Sequence, residues 1–215
     1  MIDKVLFDQG CTKCRRLADF LSQVKKEYPD YHALPVPAFG DDAPELLIVG
    51  LAPGMHGANA TGRPFTGDHA GIMLYHTLFK HGFSNHSESV STQDDLRLNN
   101  CRITNAVKCL PPQNKPTTDE IKTCNHFLRN ELRQLASGTI ILALGTIAHN
   151  AVLKAFDLKI KDFRFSHGAM HSFPDGKCLY DSYHCSRYNT QTGRLTQQMF
   201  DDVFLKIVAQ LENPS

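Results

Sequence analysis

Four cysteines in two widely separated pairs constrain this chain more than any other feature. Cys11 and Cys14 form a C-T-K-C pair near the N-terminus, and Cys109 and Cys124, with fourteen residues between them, follow much later. In a chain with no leader-like N-terminus, such pairs indicate metal ligands more readily than disulfides. A ligand set that joins all four thiolates would hold an N-terminal arm against the body of the fold.

The cysteines alone leave the identity of the metal open. Four thiolates are suitable ligands both for Zn²⁺ and for a cubane [4Fe–4S] cluster. Zinc ribbons usually close with a second short C-x₂-C pair, which this sequence lacks. The simplest alternative is a set of two redox-active thiols and two buried cysteines.

The composition is that of an ordinary soluble domain without a membrane span. The 215 residues are enough for one domain with a sizeable core, which we expect to cover residues 1–215. No run of 18 apolar residues is present, and residues 1–10 lack the apolar core of a secretory signal. Seven cysteines then indicate a reducing, cytoplasmic location. The net charge of +1 does not exclude nucleic acid, because charge can concentrate on one face.

Apolar runs alternate with helical patterns along most of the sequence. The runs predict four buried strands, at 45–50, 102–107, 139–144 and 178–183. Helical spacing predicts five helices, at 15–27, 72–82, 117–135, 146–156 and 194–211. This alternation predicts an α/β fold, a three-layer αβα sandwich around a central, mainly parallel four-stranded sheet. Prolines make 29–44 an extended connector, and 163–173 is irregular or a hairpin.

Three unusual loops follow the first, second and fourth predicted strands, at 51–71, 108–117 and 184–193. In parallel sheets, ligands bind at the carboxyl ends of the strands. The three loops should therefore meet at one edge of the sheet, and we place the functional site there.

The first loop carries five glycines between Gly50 and Asp68, which let its backbone approach a ligand closely. It has no G-K-[ST] and is not a P-loop. Phe65 is an aromatic residue among polar ones, and it is either a stacking platform for a planar ring or a cap on the core. Asp68 could orient water, but composition alone favours an N-cap for the helix near residue 72.

The second loop offers Asn114 as a donor and acceptor, and Lys115 either as a phosphate contact or as a solvated residue. In the third loop, His184 comes directly after a strand, so its side chain should point into the crevice. The residues that follow supply hydroxyl, guanidinium and amide groups, on Ser186, Arg187 and Asn189.

Two further histidines and three further cysteines have weaker roles. His167 and His171 are weaker site candidates, which could fill the wall of the site. Cys101 and Cys178 begin strands and are expected to be inert packing residues. Cys185 lies in the third loop, where we expect an exposed thiol that is open to oxidation.

Together these motifs resemble the uracil-DNA glycosylase superfamily, and specifically its family 5 enzymes. The matching segments are G-L-A-P-G with H-G-A-N-A-T-G-R-P-F-T-G-D at 50–68, N-A-V-K-C-L-P-P-Q-N-K-P-T at 105–117, and Y-H-C-S-R-Y-N-T-Q-T-G-R-L-T at 183–196. Leu51 stands where the first motif of family 4 has an acidic residue, which favours family 5. The third motif departs from the family, because Cys185 replaces the usual proline, which stiffens a turn.

The resemblance implies a DNA repair enzyme that extrudes uracil from the helix and hydrolyses its N-glycosidic bond. Hypoxanthine and xanthine are implied as further substrates. A monofunctional glycosylase acting as a monomer in the cytoplasm of a prokaryote, at the nucleoid, is expected. The four cysteines match the family's [4Fe–4S] ligands, which makes zinc the less favoured metal and gives the cluster a structural role.

The resemblance also assigns roles within the loops. His184 would stabilise the leaving base, while Asp68 and Asn114 would position or activate water. The base would contact Ala52, Pro53, Gly54 and Phe65, and the DNA backbone would contact Lys115, Ser186, Arg187 and Asn189. The alternative from a different class is a non-catalytic iron–sulfur or zinc module that binds nucleic acid.

Overall fold

The computed structural model describes residues 7–213, and its central feature is a six-stranded sheet. The strands are β1 Phe39–Gly40, β2 Leu46–Gly50, β3 Cys101–Asn105, β4 Ile140–Leu144, β5 Met170–Ser172 and β6 Cys178–Ser182. Their order is β1-β3-β2-β4-β6-β5, with parallel pairing from β3 to β6 and antiparallel pairing of β1 and β5 at the edges. The parallel sheet is confirmed.

The predicted number of four strands is wrong, because two short edge strands were not recognised. Strand β1 has two residues and lies inside the proline-rich connector, while β5 has three residues and pairs with β6 in the segment expected to be irregular or a hairpin. Strands this short are too brief to show an alternating or continuous apolar pattern. They lie at the edges, where polar residues are tolerated on the solvent side.

Helices cover both faces of the sheet and complete the three predicted layers. The helices are α1 Arg15–Glu27, α2 Ala58–Thr61, α3 His69–Lys80, α4 Thr118–Arg133, α5 Thr146–Ala155, α6 Arg187–Gln191 and α7 Gln197–Glu212. The five longer ones correspond to the predicted helices, and the short α2 and α6 were not predicted. The αβα architecture is thus confirmed.

The alternation of side chains along β2 explains the two layers. Leu46 and Ile48 belong to a core that includes Leu74 of α3 and Phe204 of α7. Leu47 and Val49, together with residues of α4 and α5, form the core on the opposite face. Since every residue of β2 is buried, the strand is a continuous apolar run, as parallel strands between two helical layers require.

The predicted start of α4 is confirmed, and it also connects α1 to the second loop. The Thr117 hydroxyl accepts from the Glu120 amide, and the Glu120 carboxylate accepts from the Thr117 amide, which forms a capping box. Arg16 of α1 donates two hydrogen bonds of 2.7 Å to the same carboxylate and a third to the Lys115 carbonyl. The N-terminal arm is therefore attached to α4 by an ion pair and to the second loop by a hydrogen bond.

Some expectations concern residues outside the described part of the chain. Residues 1–6 and 214–215 lie outside the described residues. Residues 1–6 belong both to the predicted domain 1–215 and to the segment 1–10 that was expected to lack a secretory signal, and 214–215 belong to the predicted domain. Among residues 7–213, no helix combines the length and the apolar character that crossing a membrane requires.

A buried arginine attaches the first loop to the excursion at 84–100. The Arg63 guanidinium donates to Thr66, Ser89 and Asp94, at 2.8, 2.7 and 2.6 Å. The side chains of Arg63 and Asp94 are only 6% and 13% exposed, so this ion pair is largely shielded from water. The pair fixes the segment that leads into Phe65.

We expect Asp94→Asn to lower the free energy of unfolding at neutral pH by about 3–5 kcal/mol, because it leaves the buried Arg63 cation without its carboxylate. Burial by itself would raise the pKa of Asp94, but Arg63 and nearby backbone amides outweigh it and hold the pKa well below the usual range. A depressed pKa stabilises the fold above the unfolded value of about 3.9, and this contribution disappears as the pH falls below it. Urea denaturation of both proteins from about pH 7 to about pH 3 should show the difference shrinking with acid. A difference that stays constant would contradict this role.

Candidate active site

A pocket at the carboxyl edge of the sheet is formed by all three predicted loops. Its volume is about 410 Å³. The lining residues are Leu51, Ala52, Gly54, Ala58, Phe65, Asp68, His69, Ala70, Asn105, Asn114, His184, Ser186 and Arg187. The structure thus brings together residues from the first, second and third loops, as the rule for parallel sheets predicts.

Phe65 both closes the core and forms a wall of the pocket. It is 5% exposed, belongs to the core on the α3 and α7 face, and lines the pocket. Its ring is stacked on that of His184, with centroids 6.0 Å apart. Its backbone has a φ of 58°, in the left-handed region that costs a residue with a side chain about 1–2 kcal/mol. The interpretation of Phe65 as a cap on the core is confirmed, and its place in the pocket wall leaves the stacking platform as a prediction.

Asp68 occupies the cap position of α3, but its side chain does not cap the helix. The carboxylate turns towards the pocket and accepts a hydrogen bond of 3.3 Å from the Ala58 amide. The capping role that composition favours is therefore wrong. Burial raises the pKa of Asp68 above its usual value, against smaller lowering effects of the Ala58 amide and of His56.

Two glycines make room for this carboxylate. A Cβ at Gly57 would lie 2.0 Å from Oδ1 of Asp68, and a Cβ at Gly54 would lie 2.6 Å from the same oxygen. Both distances are far shorter than van der Waals contact, so a side chain at either position would displace the carboxylate. The glycines of the first motif thus have a specific steric role at Asp68.

His184 is a neutral imidazole in the wall of the pocket. Burial lowers the pKa of His184 to about 4, so the ring carries no charge at neutral pH. Its Nδ1 atom is buried and has no hydrogen-bond partner among the described residues. The His184 carbonyl accepts a hydrogen bond of 2.8 Å from the Asn189 side chain, which holds the start of the third loop. A buried ring nitrogen without a partner is available to a ligand.

The remaining predicted residues divide between the pocket and its surroundings. Asn114 lines the pocket from an exposed turn in which both Gln113 and Asn114 have left-handed backbones. Ser186 and Arg187 lie at the pocket, and Arg187 is exposed. The predicted residues outside the lining are Pro53, Lys115 and Asn189, together with the weaker candidates His167 and His171.

Asn105 is a pocket residue that the sequence analysis did not select. It ends β3 opposite Gly50 of β2, is 3% exposed, and lines the pocket. Its side-chain oxygen is buried and has no hydrogen-bond partner among residues 7–213. A polar residue at the carboxyl end of an apolar strand is a signal that could have identified it. Tyr188, next to Arg187, is an exposed aromatic residue that was also missed.

The four cysteines meet in one place, as the sequence predicts for a ligand set. Cys11, Cys14, Cys109 and Cys124 line a single cavity, together with Lys108 and Phe127. Although all four are within the described residues, no three of their sulfur atoms lie within 4.8 Å of one another. Four thiols around one cavity are the donor set of a thiolate-bound metal centre, either Zn²⁺ or a [4Fe–4S] cluster.

The thiols of this cavity are neutral at ordinary pH, and they would ionise only if they bound a cationic centre. Burial is the main effect that raises the pKa of Cys109 to about 12 and that of Cys124 to about 11, and the neighbouring cysteines raise both further. The Lys108 amide donates to the Cys124 sulfur at 3.3 Å. The donor set thus fits a centre with several positive ions bound to thiolates.

The remaining cysteines are all buried. Cys101 and Cys178 are 0% and 9% exposed at the starts of β3 and β6, which confirms them as packing residues. The expectation that Cys185 is exposed and open to oxidation is wrong, because it is 0% exposed and burial raises its pKa to about 12. A thiol in this state is a poor nucleophile.

Comparison with known proteins identifies the family. A family model described as the uracil DNA glycosylase superfamily matches residues 37–208. The chain belongs to the uracil-DNA glycosylase superfamily. A type-5 uracil-DNA glycosylase of Thermus thermophilus is 45% identical over 213 residues, covering 95% of this chain and 97% of the relative. Those of Mycobacterium leprae and Pyrobaculum aerophilum are 42% and 40% identical and cover 90% and 93% of this chain and 88% of each relative.

These relatives confirm the resemblance to family 5 that the loop motifs indicate. Similarity to type-4 members is lower and less extensive; the protein of Archaeoglobus fulgidus is 31% identical over 151 residues, which are 70% of this chain and 62% of the relative. The match to the superfamily spans all three loops around the pocket.

We expect Gly57→Ala to lower the single-turnover rate by at least about tenfold while the protein stays folded. The reason is that the new methyl group displaces the Asp68 carboxylate. The double variant Gly57→Ala/Asp68→Ala is the control. If the clash with Asp68 is the cause, adding Gly57→Ala to Asp68→Ala should cause little further loss. If the double variant instead lost rate by the product of the two single-variant losses, the steric role of Gly57 would be contradicted.

Proposed function

We propose that this protein is a DNA repair enzyme that hydrolyses the N-glycosidic bond of uracil extruded from DNA. The observation that carries the proposal is the pocket itself, where a neutral imidazole and a carboxylate, the half-buried side chains of His184 and Asp68, line the same cavity. Catalytic pairs of this kind have environments that move their pKa values away from ordinary values. The names of the type-5 relatives support the same activity.

The pocket has suitable groups for reading a flipped pyrimidine. Extrusion costs a few kcal/mol, least at a mismatch such as uracil opposite guanine. Phe65 offers an aromatic wall against which the base can stack. The unpartnered side-chain oxygen of Asn105 can accept from N3–H of uracil, a hydrogen that neutral cytosine lacks at N3. Asn105 would therefore discriminate uracil from the normal base.

His184 would stabilise the base as it leaves. When the bond between C1′ and N1 breaks, both electrons go to the base, whose negative charge spreads onto its O2 atom. A neutral imidazole can donate one N–H to that oxygen without first losing a proton. Because the ring is buried, this hydrogen bond acts in a low-dielectric site, where it stabilises charge more strongly than in water.

Asp68 and Asn114 would act on the sugar side of the bond. The departing base leaves positive, oxocarbenium-like charge at C1′, which an ionised Asp68 stabilises. The water oxygen then bonds to C1′ while its proton passes to the carboxylate. Asn114, at the rim of the pocket, can hold this water through its amide group.

The other predicted residues would hold the DNA around the extruded nucleotide. The backbone of Ala52, Pro53 and Gly54 would bound the base, with Pro53 buried behind the lining. Lys115, Ser186, Arg187 and Asn189 are the proposed backbone contacts. The Tyr188 side chain, which is 72% exposed beside Arg187, is available for contact with the opened duplex.

The four cysteines, which line one cavity, would hold a [4Fe–4S] cluster rather than zinc, as the family motifs imply. Such a cluster supplies no open coordination position and acts as a structural crosslink. The chain's own contribution is the attachment of Cys11 and Cys14, before α1, to Cys109 and Cys124 around the loop that carries Asn114.

The proposal also includes deaminated bases other than uracil as substrates, and hydrolysis of the glycosidic bond without cleavage of the DNA strand. Leu51 lines the pocket in place of an acidic residue, and the volume of about 410 Å³ leaves room for larger deaminated bases such as hypoxanthine and xanthine. A lysine that could form a Schiff base is not among the described lining residues, which supports a monofunctional glycosylase. We expect it to act as a monomer in the cytoplasm.

Replacement of Cys109 by Ser should loosen the N-terminal arm and Asn114 together. We expect loss of the brown chromophore, a lower melting temperature, and a fall in the single-turnover rate. Cys178→Ser is the matched control, because Cys178 is a buried thiol outside the cavity of the four cysteines. Full stability and activity in a cluster-free Cys109→Ser protein would contradict the crosslinking role.

The direct test of the proposed function is release of free uracil from DNA that contains a single deoxyuridine, with alkali to reveal abasic sites. We expect cleavage that depends on alkali. Asn105→Ala should lower the uracil rate by about 10- to 100-fold, the cost of leaving a base donor without its partner. His184→Ala and Asp68→Asn should remove most activity while DNA affinity is retained.

Two outcomes of the same test separate the proposed enzyme from its alternative. The raised pKa of Asp68 should give an acid limb in the rate, since activity falls as the pH drops through that pKa, and Asp68→Asn should abolish this limb. No release of uracil by protein with its cluster intact would instead favour the non-catalytic iron–sulfur or zinc nucleic-acid-binding module.

A further inference from the structure

A segment outside the pocket lies against the end of β6, immediately before His184. Residues 166–171 run beside this strand, and the Gly168 amide donates to the Asp181 carbonyl at 2.8 Å. The Asp181 amide in turn donates to the Ala169 carbonyl at 3.0 Å. The segment is thus paired with the strand that leads into the catalytic loop.

Within this segment, His167 contacts the peptide that precedes His184. The Tyr183 amide donates to Nδ1 of His167 at 3.2 Å. The Ser182 hydroxyl also lies 3.4 Å from Nδ1, but it donates its hydrogen to the Tyr183 carbonyl at 2.9 Å. Because an amide N–H can only donate, its bond to Nδ1 assigns the lone pair to Nδ1 and the proton of the neutral ring to Nε2.

The ring of Tyr183 contacts two other side chains, His167 and Arg194. The His167 ring is stacked on it at 5.0 Å with an interplanar angle of 16°. The Arg194 guanidinium, from the residue that follows the third loop, lies 4.8 Å from the centre of the same ring. The amide of Tyr183 is therefore held by His167, and its ring is held by His167 and Arg194.

The segment is itself anchored by a buried carboxylate. Asp181 is 0% exposed and accepts from Nδ1 of His149 at 2.7 Å and from Nε2 of His171 at 3.1 Å. The Ser166 amide also donates to it, at 3.4 Å. Nε2 of His149, on α5, lies 3.0 Å from the Phe163 carbonyl, so the chain just before the segment contacts α5 while the segment itself is bonded to Asp181 of β6. A network in which every member is hydrogen-bonded holds its backbone rigidly.

We propose that His167 is a positioning residue for His184, with the Nδ1 lone pair holding the Tyr183 amide so that the imidazole of His184 meets the leaving base. This inference rests on the proposed function of His184, and it adds a role for a residue that does not line the pocket. A displacement of about 1 Å at a catalytic group can cost about a hundredfold in rate, so a single backbone contact next to His184 is significant.

The surroundings of His167 keep its ring in the required form. Burial lowers the pKa of His167, and the nearby Lys206 ammonium lowers it further, while the Met199 backbone and Asp202 act in the opposite direction. Lys206 also donates to the Gly168 carbonyl at 3.4 Å. The neutral ring therefore persists at neutral pH, with Nδ1 free to accept.

Three substitutions distinguish this role from simple packing. His167→Asn places an amide oxygen near the position of Nδ1, whereas His167→Gln places it near Nε2, and His167→Ala removes both. We expect His167→Asn to excise uracil within about threefold of the wild-type single-turnover rate, and His167→Gln and His167→Ala to be about 10- to 100-fold slower. The affinity for DNA should be unchanged in all three.

A second readout does not depend on activity. In ¹⁵N-labelled protein, Nδ1 of His167 should show a pyridine-type shift, and the ring signals of His184 should move in His167→Gln and His167→Ala but not in His167→Asn. If the wild type released no uracil, the proposed function would fail, while these signals would still test the positioning. Equal rates in His167→Asn and His167→Ala, equal losses of rate and DNA affinity, or His184 signals that do not move would each overturn the inference.

Discussion

Gly50 ends β2 where the side chains of Asn105 and Phe65 meet, and the space there is too small for any side chain. A Cβ at this position would lie 2.4 Å from Oδ1 of Asn105 and 2.7 Å from the ring of Phe65. Because parallel register places Gly50 opposite Asn105, the first loop can fold back over the strand ends only through a glycine. Gly71 has a similar role in α3, where a Cβ would lie 1.9 Å from the Phe65 carbonyl.

In the pocket beside this close approach, burial moves two pKa values in opposite directions. It lowers the pKa of His184, since the imidazolium is the charged form, and raises that of Asp68, since the carboxylate is the charged form. The resulting neutral donor suits a leaving base anion, and the more basic carboxylate suits a water proton. One physical cause therefore prepares both groups, and no separate charged partner is needed at His184.

Much of the fold and part of the site could be predicted from the sequence. Strands β2 and β4 are continuous apolar runs because both of their faces are buried, and the capping box of α4 is a local pattern. Both features can be read from neighbouring residues alone. The edge strands are too short to leave such a pattern. The strand-end rule and the family motifs identified His184 and Phe65. Asn105 was missed because the predicted strand 102–107 extended two residues beyond the end of β3 and so enclosed it.

The errors at Asp68 and Cys185 share a cause. Asp at the start of a helix is a good cap by composition, yet here the loop turns its carboxylate towards the Ala58 amide, ten residues earlier in the chain. A cysteine in a polar loop is expected to be exposed, yet Cys185 belongs to the core beneath the third loop. Such outcomes depend on contacts between segments distant in sequence, which local pattern does not contain.

The most direct test of the whole account is a crystal structure of the protein bound to DNA that contains 2′-fluoro-2′-deoxyuridine. The fluorine destabilises positive charge at C1′, so the base should stay attached. The account predicts an extruded uracil stacked on Phe65, with its N3 facing the Asn105 oxygen and its O2 within hydrogen-bond distance of His184. A uracil still paired in the duplex, or one bound away from these three residues, would contradict it.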